Sequence, residues 1–124
     1  LKNHMYENSY SKIAHFFSLP DYLVWRMSTY NIRSVCTTTC KWLFNSELKK
    51  WDEKFWRIIG LGDLVEENFS KIGSIIKKPF EFDENLKISK ECAELIGFDL
   101  NLKVGISMID AHAGGVGSLA IAMS

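Results

Sequence analysis

Charge of one sign, long apolar runs, cysteine and proline are all scarce in this chain of 124 residues. Lysine plus arginine number 15 and aspartate plus glutamate number 15, so the formal net charge is zero. No electrostatic surplus points to nucleic acid or to an acidic membrane. No apolar run approaches the roughly 18 residues of a membrane span, and no basic-then-apolar secretion signal opens the chain. The cysteines are Cys36, Cys40 and Cys92. So odd and sparse a set reads as reduced thiols of a cytoplasmic protein, not as a disulfide framework. Cys36 and Cys40 lack C-x-x-C spacing, and the histidines are only His4, His15 and His112, so no zinc pattern forms and no metal is expected. There is no internal repeat, no P-loop, no dinucleotide fingerprint and no G-x-S-x-G elbow. Gly114-Gly115-Val116-Gly117 reads instead as close helix packing through small residues.

What is present suits a folded chain. Apolar residues make up 47% and charged residues 24%, which is a globular profile. The length is that of one domain or part of one. The chain opens on Leu1 and closes on an apolar run, so we expect a piece of something longer.

Local signals place the elements. Weak helical spacing of Met5, Ile13, Phe16 and Phe17 predicts a helix within residues 2–17. Pro20 suits the first turn of a second helix carrying Tyr22, Leu23, Trp25 and Met27. From Arg33 to Trp42 the β-branched Val35, Thr37, Thr38 and Thr39 favour a strand, but the apolar positions do not alternate. Asp52 predicts an N-cap for a helix within residues 51–61, with Gly60 past its end. Trp51 and Trp56 take the two positions of a hydrophobic staple, and Phe55, Ile58 and Ile59 supply the expected buried stripe. A short strand is expected around Ile72, Ile75 and Ile76, then a charged loop over residues 79–87. Ser89 caps a helix carrying Cys92, Leu95 and Ile96, which Gly97 ends. Val104 to Ile109 is a short apolar run that suits a buried strand. Helices with isolated strands between them predict an α/β fold.

Chemistry concentrates near two places. Asp110 closes the apolar run and opens a small-residue helix, the position where α/β sheets hold ligands. The bland alternative is a helix N-cap. His112 reads first as a packed histidine at the helix start, with metal ligand or proton shuttle as the functional alternative. Lys41, between Cys40 and Trp42, reads as a half-buried lysine whose ammonium needs a partner. Cys36 and its fellow cysteines behave by default as small hydrophobes.

Three stretches then carry a family resemblance: Leu19-Pro-Asp-Tyr-Leu-Val-Trp-Arg26, Arg33-Ser-Val-Cys-Thr-Thr-Thr-Cys-Lys-Trp42 and Ile109-Asp-Ala-His-Ala-Gly-Gly115. In order and spacing they resemble the FGGY carbohydrate kinases, and within them the ribulokinase-like pentulose kinases. Trp51-Asp-Glu-Lys-Phe-Trp-Arg-Ile-Ile-Gly-Leu61 and Asn68-Phe-Ser-Lys-Ile-Gly73 are similar to the D-ribulokinase branch. The resemblance implies part of a ribonuclease H-like (actin-like ATPase) domain, residues 1–124 forming the C-terminal portion of the N-terminal domain. It implies transfer of the γ-phosphoryl of Mg-ATP to a sugar hydroxyl. Asp110 matches the general base, Lys41 the lysine near the sugar, and Cys36 and His112 stand in the substrate-binding motifs. L-ribulokinases have small residues before that lysine; Thr37, Thr38, Thr39 and Cys40 here resemble the D-ribulose enzymes, which phosphorylate the 5-hydroxyl. The partners implied are a pentulose and ATP, with a homodimer of the parent left open. The family's Asp-x-Gly-Thr loop and Gly-Thr-Ser motif do not occur in these residues, so a non-catalytic piece of such a kinase is the competing expectation. Because strands of the parent sheet would be missing, the isolated chain is expected to be marginal in stability.

Overall fold

Capping side chains set the start of three of the described helices. A computed structural model describes residues 7–81 and 83–122. Within them α1 (Glu7–Tyr10) is a single turn, and irregular chain follows to Ser18. Among the described residues, the helix expected over residues 2–17 is only that turn, and residues 2–6, with His4, lie outside the described residues. α2 (Leu19–Ser28) starts with Pro20 in its first turn and ends where Thr29 turns left-handed. Its inward face is Asp21, Val24 and Ser28, a helical spacing.

The ambiguous stretch divides. β1 (Arg33–Ser34) is extended, and α3 (Val35–Trp42) follows at once. Ser34 caps α3, its Oγ accepting from the Cys36 N–H at 3.1 Å. The threonines that suggest a strand accommodate the helix through their hydroxyls. Thr38 Oγ1 donates to the Ser34 carbonyl at 2.8 Å, a bond back along the helix that removes the usual conflict.

β2 (Phe44–Asn45) and β3 (Lys50–Trp51) pair antiparallel, with Phe44 opposite Trp51. Asp52 then caps α4 (Glu53–Ile58), its Oδ1 accepting from the Phe55 N–H at 3.1 Å, and Gly60 takes φ +82° beyond the end. The expected staple forms: the Trp51 and Trp56 rings meet edge to face at 6.1 Å. The stripe is different from the one expected. Trp56 is buried, while Ile58 and Ile59 are exposed, because the short helix turns only Trp56 squarely inward. α5 (Gly62–Glu66) follows, and β4 (Ile76–Lys77) pairs parallel with β1, Arg33 opposite Ile76. Ser89 caps α6 (Lys90–Ile96) through the Cys92 N–H at 3.2 Å, and Gly97 ends it at φ +73°. Leu95 and Ile96 are exposed on it.

Residues 104–109 are not the buried strand the apolar run predicts. Val104 N–H bonds to the Leu86 carbonyl at 2.9 Å, and the neighbouring contact is an isolated bridge between Lys87 and Lys103. Beyond Val104 the segment runs irregularly, without a ladder, until α7 (Asp110–Ala122) begins. Helices and two minimal sheets thus give a mixed helix-and-strand fold among the described residues.

Two apolar clusters hold it. One is aromatic: Phe44, Trp51, Trp56, Leu64, Phe69 and Ile72. Phe69 stacks on Trp51 at 5.2 Å. The other joins α2 to α6 through Val24, Ile32, Leu86, Ile88, Ala93 and Val104. None of the described helices is long and apolar enough to cross a membrane.

Candidate functional site

The site lies where the two ends of α3 meet neighbouring segments. Lys41 is in the last turn of α3, where a cation suits the helix dipole. It is exposed rather than half-buried, because the apolar neighbours Cys40 and Trp42 project from other parts of the helix. Trp42 is fixed: its Nε1–H donates to Ser18 Oγ at 3.0 Å, tying the C-terminal end of α3 to the start of α2.

Asp110 is the first residue of α7. The Ala113 N–H bonds to the Ile109 carbonyl at 3.0 Å, so Ile109 holds the cap position and Asp110 stands one residue inside. The Asp110 Oδ1 accepts from the Ala111 N–H at 2.9 Å. Among the described residues, Oδ2 has no hydrogen-bond partner. The N-terminal turn of a helix is a favourable place for a carboxylate.

Lys41 and Asp110, remote in sequence, line one cleft of about 540 Å³ with Phe17, Ser18, Pro20 and Trp42. They form no ion pair among the described residues. An exposed carboxylate and an exposed ammonium on one cleft can engage a polyol together. The carboxylate accepts a hydroxyl proton, and the ammonium donates to a hydroxyl oxygen.

Cys36 and His112 are brought together separately. Cys36 Sγ lies 3.0 Å from His112 Nδ1, and the Ile109 N–H approaches the same sulfur at 3.5 Å. They face a second cleft, of about 500 Å³, with Val35, Lys78 and Met108. Their polar atoms meet each other and join the start of α3 to the start of α7. The glycines 114, 115 and 117 do not pack as expected: a Cβ at any of them would meet nothing within 4 Å.

Sequence reasoning missed Asp21 and Arg33. Asp21 is 1% exposed. Its Oδ1 accepts from the Ser34 N–H at 3.0 Å and from Ser107 Oγ at 2.5 Å. Its Oδ2 accepts from Thr37 Oγ1 at 2.5 Å. The available signal was an acidic residue inside the apolar run from Leu19 to Trp25, easily taken for an ordinary first-turn acid. Arg33 is equally buried. Its guanidinium lies 3.6 Å over the Phe17 ring and donates to Asn31 Oδ1 and to the Ile32 and Phe16 carbonyls. Burial pushes its pKa down to about 10, against the opposing pull of the Asp21 charge.

Comparison with known proteins bears on this arrangement. An FGGY carbohydrate kinase domain-containing protein of Homo sapiens is 42% identical over 117 residues, covering 94% of this chain and 21% of the relative. Its counterpart in Danio rerio is 40% identical over 119 residues, covering 96% of this chain and 22% of the relative. A D-ribulokinase of Saccharomyces cerevisiae is 31% identical over 130 residues, covering 97% of this chain and 18% of that enzyme. The chain spans about a fifth of the length of these curated relatives. No protein-family model matches it. With identity of this order over nearly the whole chain, it is a homologue of part of the FGGY carbohydrate kinase proteins.

Proposed function

We propose that this chain is the later part of the first domain of an ATP-dependent pentulose kinase, with D-ribulose as the sugar and its 5-hydroxyl as the acceptor. The observation that carries the reading is the shared cleft of Lys41 and Asp110. The likeness to carbohydrate kinases, and more distantly to a D-ribulokinase, supports it. Asp110 takes the proton of the sugar hydroxyl through its unengaged Oδ2. The Lys41 ammonium donates to another hydroxyl and fixes the pose of the sugar. Cys36 and His112 line the separate cleft beyond the first turn of α7, where they hold the start of α3 against the start of α7. Phosphoryl transfer needs chiefly positioning and one group to receive the nucleophile's proton. The nucleotide supplies the phosphoryl group, and these residues carry neither the Asp-x-Gly-Thr nor the Gly-Thr-Ser phosphate motif.

Asp110→Asn in a complete kinase carrying this segment tests the reading. Asn keeps the shape and still accepts the Ala111 N–H, but it is no base. Turnover with D-ribulose should fall by about 10²–10⁴-fold, with melting temperature and sugar affinity kept. Near-normal turnover would remove Asp110 from the chemistry and leave a helix-terminal role. In the same assay Lys41→Ala should raise the KM for the sugar and spare that for ATP.

A further inference from the structure

We infer that Asp21 and Ser107 together form a positioning device that sets Asp110 in the cleft; the inference rests on the assignment of Asp110 above. Three hydrogen bonds from two chain segments converge on the Asp21 carboxylate. Two bonds come from the start of α3, from the Ser34 N–H and Thr37 Oγ1. The third comes from Ser107 Oγ in the segment before α7. Beyond Val104 that segment has no ladder to hold it; Ile106 packs on the second cluster, and the next residue is fixed by its side-chain bond to Asp21. The segment's last residue, Ile109, carries the carbonyl that begins α7. Ser107 therefore determines where the helix starts, and Asp110 is its first residue.

The same helix start serves the other wall. Asp21 is the third residue of α2, and Ser18, just before that helix, accepts from Trp42 beside Lys41. The first turn of α2 is thus the common reference for both sides of the cleft. A carboxylate is the side chain that suits this task. It accepts from several donors at once, and bonds to a charged acceptor are about twice as strong as neutral ones. At 1% exposure, water does not compete for them.

The test removes the link without removing the core. Ser107 is half-buried and outside both apolar clusters, so Ser107→Ala is expected to fold. In the 124-residue chain, amide exchange at residues 113–116, the first amides bonded inside α7, should quicken by about tenfold, the effect of losing one bond to a charged group. Exchange in α4 should stay unchanged, and Ser107→Thr should restore protection. In a complete kinase carrying the segment, Ser107→Ala should lower kcat and leave the KM for the sugar and the melting temperature near wild type.

Unchanged exchange at residues 113–116 overturns the inference. So does faster exchange with an unaltered kcat, and so does loosening spread equally into α4, which marks a merely structural bond. Asp110→Asn is measured alongside. If it cripples turnover while Ser107→Ala does nothing, the positioning role fails and the base assignment survives. If it leaves turnover intact, both fall.

Discussion

The aromatic cluster and helix α7 are built on opposite terms. In the first, Phe44, Trp51, Trp56 and Phe69 enclose one another and leave little for water. In the second, residues 110–120 are all exposed, Val116 and Leu119 included. The cluster closes on itself within the chain and supplies rigidity. The helix carries Asp110, the carboxylate proposed as the base, and leaves its apolar surface uncovered. A scaffold needs density, because each lost contact loosens its neighbours. A reacting carboxylate needs access. The chain separates the two requirements and connects them through buried polar bonds at Asp21 rather than through further packing.

Truncation should expose this contrast most strongly. Trp56→Ala empties a buried indole site and should cost about 3–5 kcal/mol. Leu119→Ala, on the open helix, should move stability by less than about 0.5 kcal/mol. Paired urea titrations check both, and comparable losses would mean that α7 packs onto the chain.

Glycine substitutions sharpen the same comparison. Gly73 sits at φ +134°, and a Cβ there would come within 2.5 Å of Arg33 Cγ. Gly73→Ala should therefore destabilise by about 1–3 kcal/mol from backbone strain alone, besides disturbing the buried guanidinium. Gly114 has helical backbone and open space around it. Gly114→Ala should stabilise by about 0.4–1 kcal/mol through a less flexible unfolded chain. Melting curves of the two variants should thus shift in opposite directions.

A smaller effect is expected at the edge of the scaffold. The Tyr10 hydroxyl donates to Asp63 Oδ2 at 2.7 Å. Burial first, then that bond and the nearby Asp63 charge, push its pKa up. A group whose folded pKa lies above its unfolded value stabilises fully below the unfolded value, about 10 for tyrosine. That contribution is lost as pH rises beyond it. Stability measured against pH should fall more steeply above about pH 10 in wild type than in Tyr10→Phe. Parallel curves would show that the bond contributes nothing.

Local signals were the legible part of this fold. Asp52, Ser89, Gly60 and Gly97 announce helix ends because a cap acts on residues two or three positions away. The same holds for the staple of Trp51 and Trp56. Asp110 and Lys41 were legible as family motifs, yet their meeting in one cleft was not, since it depends on how α2, α3 and residues 104–109 sit together. Val104 to Ile109 misled because apolar composition reports burial, not ladder pairing. Ile58 and Ile59 misled because a helix of α4's length turns only Trp56, and in part Phe55, to the core and leaves its last turn to solvent. Asp21 was hidden for the converse reason. Nothing local separates a first-turn acid facing water from one facing three donors.

The parallel pairing of β1 with β4 has a consequence for the order of folding. It joins Arg33 to Ile76, and the aromatic cluster falls within that interval, between Phe44 and Ile72. The second cluster needs Val24 to find Val104, and the Ser107 bond reaches back to Asp21 over a comparable stretch. Closing a longer loop costs more entropy before any contact rewards it. The aromatic cluster should therefore gather first, and the Asp21 bonds should close late. Stopped-flow fluorescence with pulsed amide exchange is expected to show the Trp51–Trp56 environment forming ahead of protection at residues 113–116. Simultaneous formation would refute the order. On this account the cleft is the last part of the chain to take shape, and a newly made molecule acquires its scaffold before it acquires its site.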